Sequence, residues 1–123
     1  MSLERNWQEE RGTMTDKIYQ ISEIKDIVSP IARQYGVTKV YLFGSYARGC
    51  ATAESDLDFR VDAENIKGFF ALGGLYNALE EAFNKSIDLV TTEALQEREN
   101  DLLTIKFYNH IKNDEVLIYE RSQ

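Results

Sequence analysis

A chain of 123 residues, 43% hydrophobic and 28% charged, suffices for one buried core, is too short for two, and is unlike a disordered or low-complexity sequence. Its formal net charge of -7, from 21 acidic and 14 basic residues, repels polyanions and argues against stable nucleic-acid binding, although a divalent cation can reverse the local sign at an acidic site. One cysteine and one histidine allow neither an internal disulfide nor a zinc set; with no signal segment and no run near the about eighteen apolar residues of a membrane span, the expectation is a cytoplasmic protein without a membrane partner.

Residues 1–15 (MSLERNWQEERGTMT) are polar and lack sustained periodicity, so they read as a flexible tail, with Met14 a second candidate start and Trp7 incidental. Residues 16–123 read as a single domain. From Ser22, apolar residues at Ile24, Ile27, Val28, Ile31, Ala32 and Tyr35 predict a helix capped by Ser22 and stopped at Gly36. Pro30 removes one backbone bond and predicts a kink or a restart at Ser29. Residues 37–43 (VTKVYLF) predict a strand entering a tight turn at Gly44-Ser45, and residues 46–55 suit one short helical turn and a loop.

Residues 56–62 (DLDFRVD) alternate strictly, with Leu57, Phe59 and Val61 on one face of a strand and Asp56, Asp58, Arg60 and Asp62 on the other. Ile66, Phe69, Leu72, Tyr76, Leu79 and Phe83 follow at helical spacing over residues 65–83. Gly73 and Gly74 each cost about 1 kcal/mol against alanine there, which predicts a close backbone contact or a local break. Residues 86–90 (SIDLV) predict a strand with Asp88 opposite Ile87 and Leu89. Thr92 is placed to cap a short helix, Leu103, Phe107 and Ile111 mark a helix over 99–112, and residues 116–119 (VLIY) close the chain as a strand.

If Asp56, Asp58 and Asp88 meet on neighbouring strands, two unit charges at about 4 Å repel by about 4 kcal/mol at an effective dielectric near 20. A fold that gathers them is expected to hold a cation, and oxygen-only donors favour magnesium or manganese over zinc. Magnesium shares its shell with substrate phosphates, which points to a nucleoside triphosphate, and paired ions can clamp both oxygens of an in-line displacement. Asp88 is also a candidate acceptor for the proton of an attacking hydroxyl. Gly44 lets backbone approach a phosphate, and the Ser45 hydroxyl and exposed N–H groups can bind its oxygens, with Arg48 a further triphosphate contact.

The stretch GSYARGCATAESDLD, Gly-Ser followed after ten residues by Asp-x-Asp, resembles the signature of the DNA polymerase β-like nucleotidyltransferase superfamily. LFGSYARG, SIDLV and VLIYE resemble its minimal, MntA-like members over residues 22–120. The resemblance implies an α/β (α+β) fold with a small mixed sheet and helices mainly on one side. It further implies ATP and magnesium as ligands, Asp56, Asp58 and Asp88 as the metal triad, and Ser45 as a phosphate contact. Members of the group commonly pair with a HEPN-family toxin and silence it by adding AMP to a tyrosine. Cys50 departs from the polar residue often found after Arg-Gly, at a position that needs only to suit a turn.

Each residue also has a plainer reading. Asp-x-Asp on an alternating strand is ordinarily a solvated face, Ser45 can cap a helical turn, and Arg48 can pair with a carboxylate. Arg60 and Asp62 read as solvated charges beside the site, and His110 as a partly buried packing residue. Tyr46 is the best placed tyrosine to stack near a base. Two further function classes stay open beside protein nucleotidylation: a binding-only antitoxin with vestigial chemistry, and transfer to a small molecule. Base preference, acceptor residue and homo-oligomerisation are open at this point.

Overall fold

The computed structural model describes residues 14–98 and 101–122, apart from the Phe69 side chain. Residues 1–13, with Trp7, therefore lie outside it, whereas Met14 and Thr15 dock, Thr15 N–H donating to the Asn84 carbonyl at 3.1 Å. Helix α1 spans Ile21–Tyr35 and buries Ile24, Val28 and Ala32. It begins earlier than the Ser22 cap predicts: Gln20 is the N-cap, its N–H donating to Glu23 Oε1 at 3.0 Å. The helix runs on through Pro30 and ends at Gly36.

Strand β1 (Lys39–Phe43) leads directly into helix α2 (Gly44–Arg48), and the loop after it delivers the chain to strand β2 (Leu57–Asp62). Helix α3 (Gly68–Phe83) crosses to strand β3 (Ile87–Thr91). Helices α4 (Thr92–Glu97) and α5 (Leu102–Asp114) follow, and strand β4 (Val116–Glu120) closes the chain. The sheet order is β3-β2-β1-β4, with β2 and β3 parallel and the other pairs antiparallel.

The alternation along β1 and β2 sorts the two sheet faces. Val40, Leu42, Leu57, Phe59, Val61 and Ile87 pack with Ile24, Val28 and Ala32 of α1 and Leu75, Leu79 and Phe83 of α3 in the main core. Helix α3 is unbroken at its glycines, and the close contact occurs at Gly74, where an added Cβ would sit 3.1 Å from Tyr35 Cε1. Its buried stripe runs through Leu75 rather than Tyr76, which is exposed. A smaller cluster of Phe43, Leu95 and Ile111, flanked by Val90 and Tyr108, forms where α4 and α5 shield part of the other face.

That second face also corrects the expectation of a solvated Arg60, which is only 4% exposed. Its Nε and Nη2 donate to Glu115 Oε2 and Oε1 at 3.0 and 2.8 Å, and Nη1 donates to Thr92 Oγ1 at 2.6 Å. The guanidinium lies 4.0 Å from the Tyr41 ring centroid. Thr92 is consequently not a cap but the first residue of α4; Thr91 caps it, its Oγ1 accepting from Ala94 N–H at 3.1 Å. Because Glu115 directly follows α5, this forked ion pair ties the end of α5 to the sheet.

Removing one partner of a buried pair leaves an uncompensated charge, so Glu115→Ala is expected to cost about 3 kcal/mol in urea denaturation. Adding Arg60→Met should recover most of that loss.

Candidate active site

Gly44 starts α2 with φ +75°, a conformation L side chains rarely adopt. It stands where β1 meets the start of β2, since Phe43 pairs with Asp58. A Cβ on Gly44 would overlap Asp58 Oδ2 and lie 3.1 Å from Asp58 Cγ, so two independent constraints select glycine. Ser45 follows half-buried on the first turn of α2, which ends at Gly49. The Gly44-Ser45 bend and the Asp58 carboxylate are thereby immediate neighbours.

The third expected residue arrives through the parallel pair. Asp58 is in register with Asp88, on strands separated by the usual spacing of about 4.8 Å. Ile87 and Leu89 turn toward the main core, which leaves Asp88 on the same face as Asp58. Asp88 is exposed, as is Asp56, which stands just before β2. Burial, then the neighbouring Asp88 and Asp56 charges, push Asp58 up to about 6 from the ordinary carboxylate range, while Arg48 acts in the opposite direction.

Among the described residues, no three Asp, Glu, His or Cys side chains close into a ready cage for a metal ion. The donors nevertheless fit a hard cation that shares its shell with phosphates, because magnesium needs only one or two carboxylates together with substrate oxygens. Of the causes that raise Asp58, burial first and then the Asp88 and Asp56 charges, such a cation would relieve the charge repulsion.

Residues 23–123 match the family described as polymerase beta nucleotidyltransferase. The chain belongs to that family. A Methanocaldococcus jannaschii protein provisionally named a protein adenylyltransferase is 36% identical over 75 residues, 61% of this chain and 81% of the relative. The protein adenylyltransferase MntA of Thermococcus cleftensis is 32% identical over 80 residues, 62% of this chain and 81% of the relative. In fold, the nucleotidyltransferase resembles a toxin-antitoxin crystal structure with AMP-PNP at a TM-score of 0.60 and 22% identity, covering 80% of this chain and 75% of that one.

Of the other residues of this nucleotidyltransferase, Tyr46 and His110 differ from their sequence expectations, whereas Arg48 takes its plainer reading and Cys50 its expected one. Arg48 is exposed and pairs with Asp114 at 3.4 Å, yet it stays close enough to influence Asp58. Tyr46 is buried in the main core and so is not available for stacking on a base. His110 is exposed rather than packed, and Cys50 is exposed and free. No described helix is long and apolar enough to cross a membrane.

The Asp58 shift carries a stability signature. Since the folded pKa stands above the unfolded one, the fold favours the protonated form; that stability is complete below about pH 4 and is lost as pH rises through about 6. In metal-free protein at pH 7.5, Asp58→Asn should melt a few degrees higher than wild type, about 1 kcal/mol after solvent screening. Melting curves at pH 4 should show the advantage gone. Gly44→Ala should instead lower stability by about 1–3 kcal/mol at every pH, because its strain is steric.

Proposed function

We propose that this nucleotidyltransferase moves AMP from ATP, with magnesium or manganese, to a hydroxyl of a partner protein, a tyrosine of a HEPN-family toxin, and thereby acts as an antitoxin. The observation that carries the reading is the in-register pairing of Asp58 with Asp88 beside the Gly44-Ser45 bend, with Asp56 close enough to act on Asp58. The names of the adenylyltransferase relatives, and the toxin-antitoxin complexes of similar fold, support protein as the acceptor class.

In this reading residues 16–123 act as one domain. Asp56, Asp58 and Asp88 would hold the cation, which when bound supplies positive charge against the triphosphate and the developing oxyanions. Gly44 gives the phosphates access to backbone, and Ser45 and its N–H bind and orient them. Arg48 exchanges its exposed pairing with Asp114 for a triphosphate oxygen. Asp88, exposed at the mouth of the site, accepts the acceptor hydroxyl's proton as its oxygen bonds to the α-phosphorus and pyrophosphate leaves.

An acceptor carried on another protein also suits the second face. Leu102, Leu103, Ile105 and Phe107 of α5 are exposed apolar side chains, and the Phe107 ring packs edge-on against Phe43, one residue before the bend.

Purified protein with radiolabelled ATP, magnesium and the product of the neighbouring gene should label that product, and Asp56→Ala or Asp58→Ala should reduce labelling by at least about a thousandfold. Labelling that survives both substitutions contradicts the mechanism. Neutralisation of the partner without labelling or ATP affinity would favour the binding-only alternative, and labelling of a small molecule alone would move the acceptor class.

A further inference from the structure

Arg60 and Lys85 are the two buried cationic side chains among the described residues. Arg60 is matched by the Glu115 carboxylate, whereas the hydrogen bonds of Lys85, 2% exposed, go to main-chain carbonyls. Its Nζ donates to the Ala53 carbonyl at 2.8 Å and to the Thr15 carbonyl at 3.2 Å. Both acceptors lie on irregular backbone, so a group costly to bury is devoted to holding segments that no helix or sheet ladder holds.

The identity of those segments gives the contact its meaning. Ala53 occupies a turn in the loop joining α2 to β2, closed by Ser55 N–H to the Thr52 carbonyl at 3.1 Å and by Thr52 N–H to Ser55 Oγ at 2.8 Å. Three residues further on, the loop ends at Asp56, and three residues after Lys85 stands Asp88. Next to Lys85, Leu57 N–H donates to the Ser86 carbonyl at 3.1 Å, just ahead of the register that sets Asp58 opposite Asp88. The ladder fixes Asp58 and Asp88, and the Leu57–Ser86 bond holds the peptide just after Asp56, whereas the chain entering Asp56 lies outside β2.

We propose that Lys85 is a positioning residue for the carboxylate site: by pinning the Ala53 carbonyl it sets where the loop delivers Asp56 relative to Asp58 and Asp88. The proposal rests on the reading of these aspartates as a cation site. The Thr15 contact is a separate, second anchor for the chain before α1.

The test uses the full chain and manganese, whose binding is read by electron paramagnetic resonance without turnover. Lys85→Met removes the donors; Lys85→Gln keeps two N–H donors on a shorter neutral stem. Lys85→Met should keep the wild-type circular dichroism and a cooperative melt, weaken manganese binding by about tenfold or more, and speed hydrogen exchange across residues 50–57. Lys85→Gln should fall between Lys85→Met and wild type. With ATP and the partner, Lys85→Met should raise the manganese concentration needed for half-maximal labelling more than it lowers the maximal rate.

A folded Lys85→Met with wild-type manganese affinity overturns the proposal. So does failure of both variants to fold, which would make Lys85 a residue of global stability. Wild type and Asp58→Asn provide the separate control: if wild type binds no manganese, or Asp58→Asn binds it equally, the cation-site reading itself fails, whatever Lys85 does.

Discussion

The parallel pairing of β2 with β3 is the constraint on which the rest depends. It sits in a sheet whose other two pairs are antiparallel, and it takes the α3 crossover to build. Its register has to be right to the residue, because a slip of one would send Asp88 toward the core and an apolar neighbour to the site. The burial of Leu57, Phe59 and Ile87 in the main core enforces that register from the opposite face. Core packing and carboxylate convergence are therefore two consequences of one alternation.

The same sheet face carries two arrangements of opposite character. Toward the start of β2, Asp58 stands near Asp88 and Asp56, and its raised pKa reflects first its burial and then these like charges. Two residues along, Arg60 is fully compensated by Glu115, Thr92 and the Tyr41 ring. The compensated half anchors α4 and α5 and closes the face there, while the frustrated half stays open beside Gly44. The proposed cation site would use this contrast, with a cation relieving the carboxylate repulsion beside a satisfied network.

Much of this was legible in the sequence because it is local. The alternation from Leu57 to Asp62 placed Asp58 on the face away from the main core, Ile87-Asp88-Leu89 did the same for Asp88, and Gly36 ends α1 as its composition suggests, whereas Asp56 lies just before β2 rather than on it. What was not legible depends on partners distant in sequence. Arg60 looked solvated because Glu115 is 55 residues away, and Tyr46 is buried because α2 turns it into the main core. The burial of Lys85 has no local signal, since one of its acceptors, Thr15, lies 70 residues back in a segment whose composition reads as a tail. The exposed His110 and the shift from Tyr76 to Leu75 reflect helix phase, which a loosely periodic stripe defines poorly.

The central claim is that three acidic side chains bind a triphosphate only through divalent cations. Calorimetric titration of the wild-type chain with ATP, once with magnesium and once with chelator, tests it most directly. The account predicts saturable binding with magnesium and none without it. Equal affinity for ATP under both conditions, or no binding under either, would contradict it.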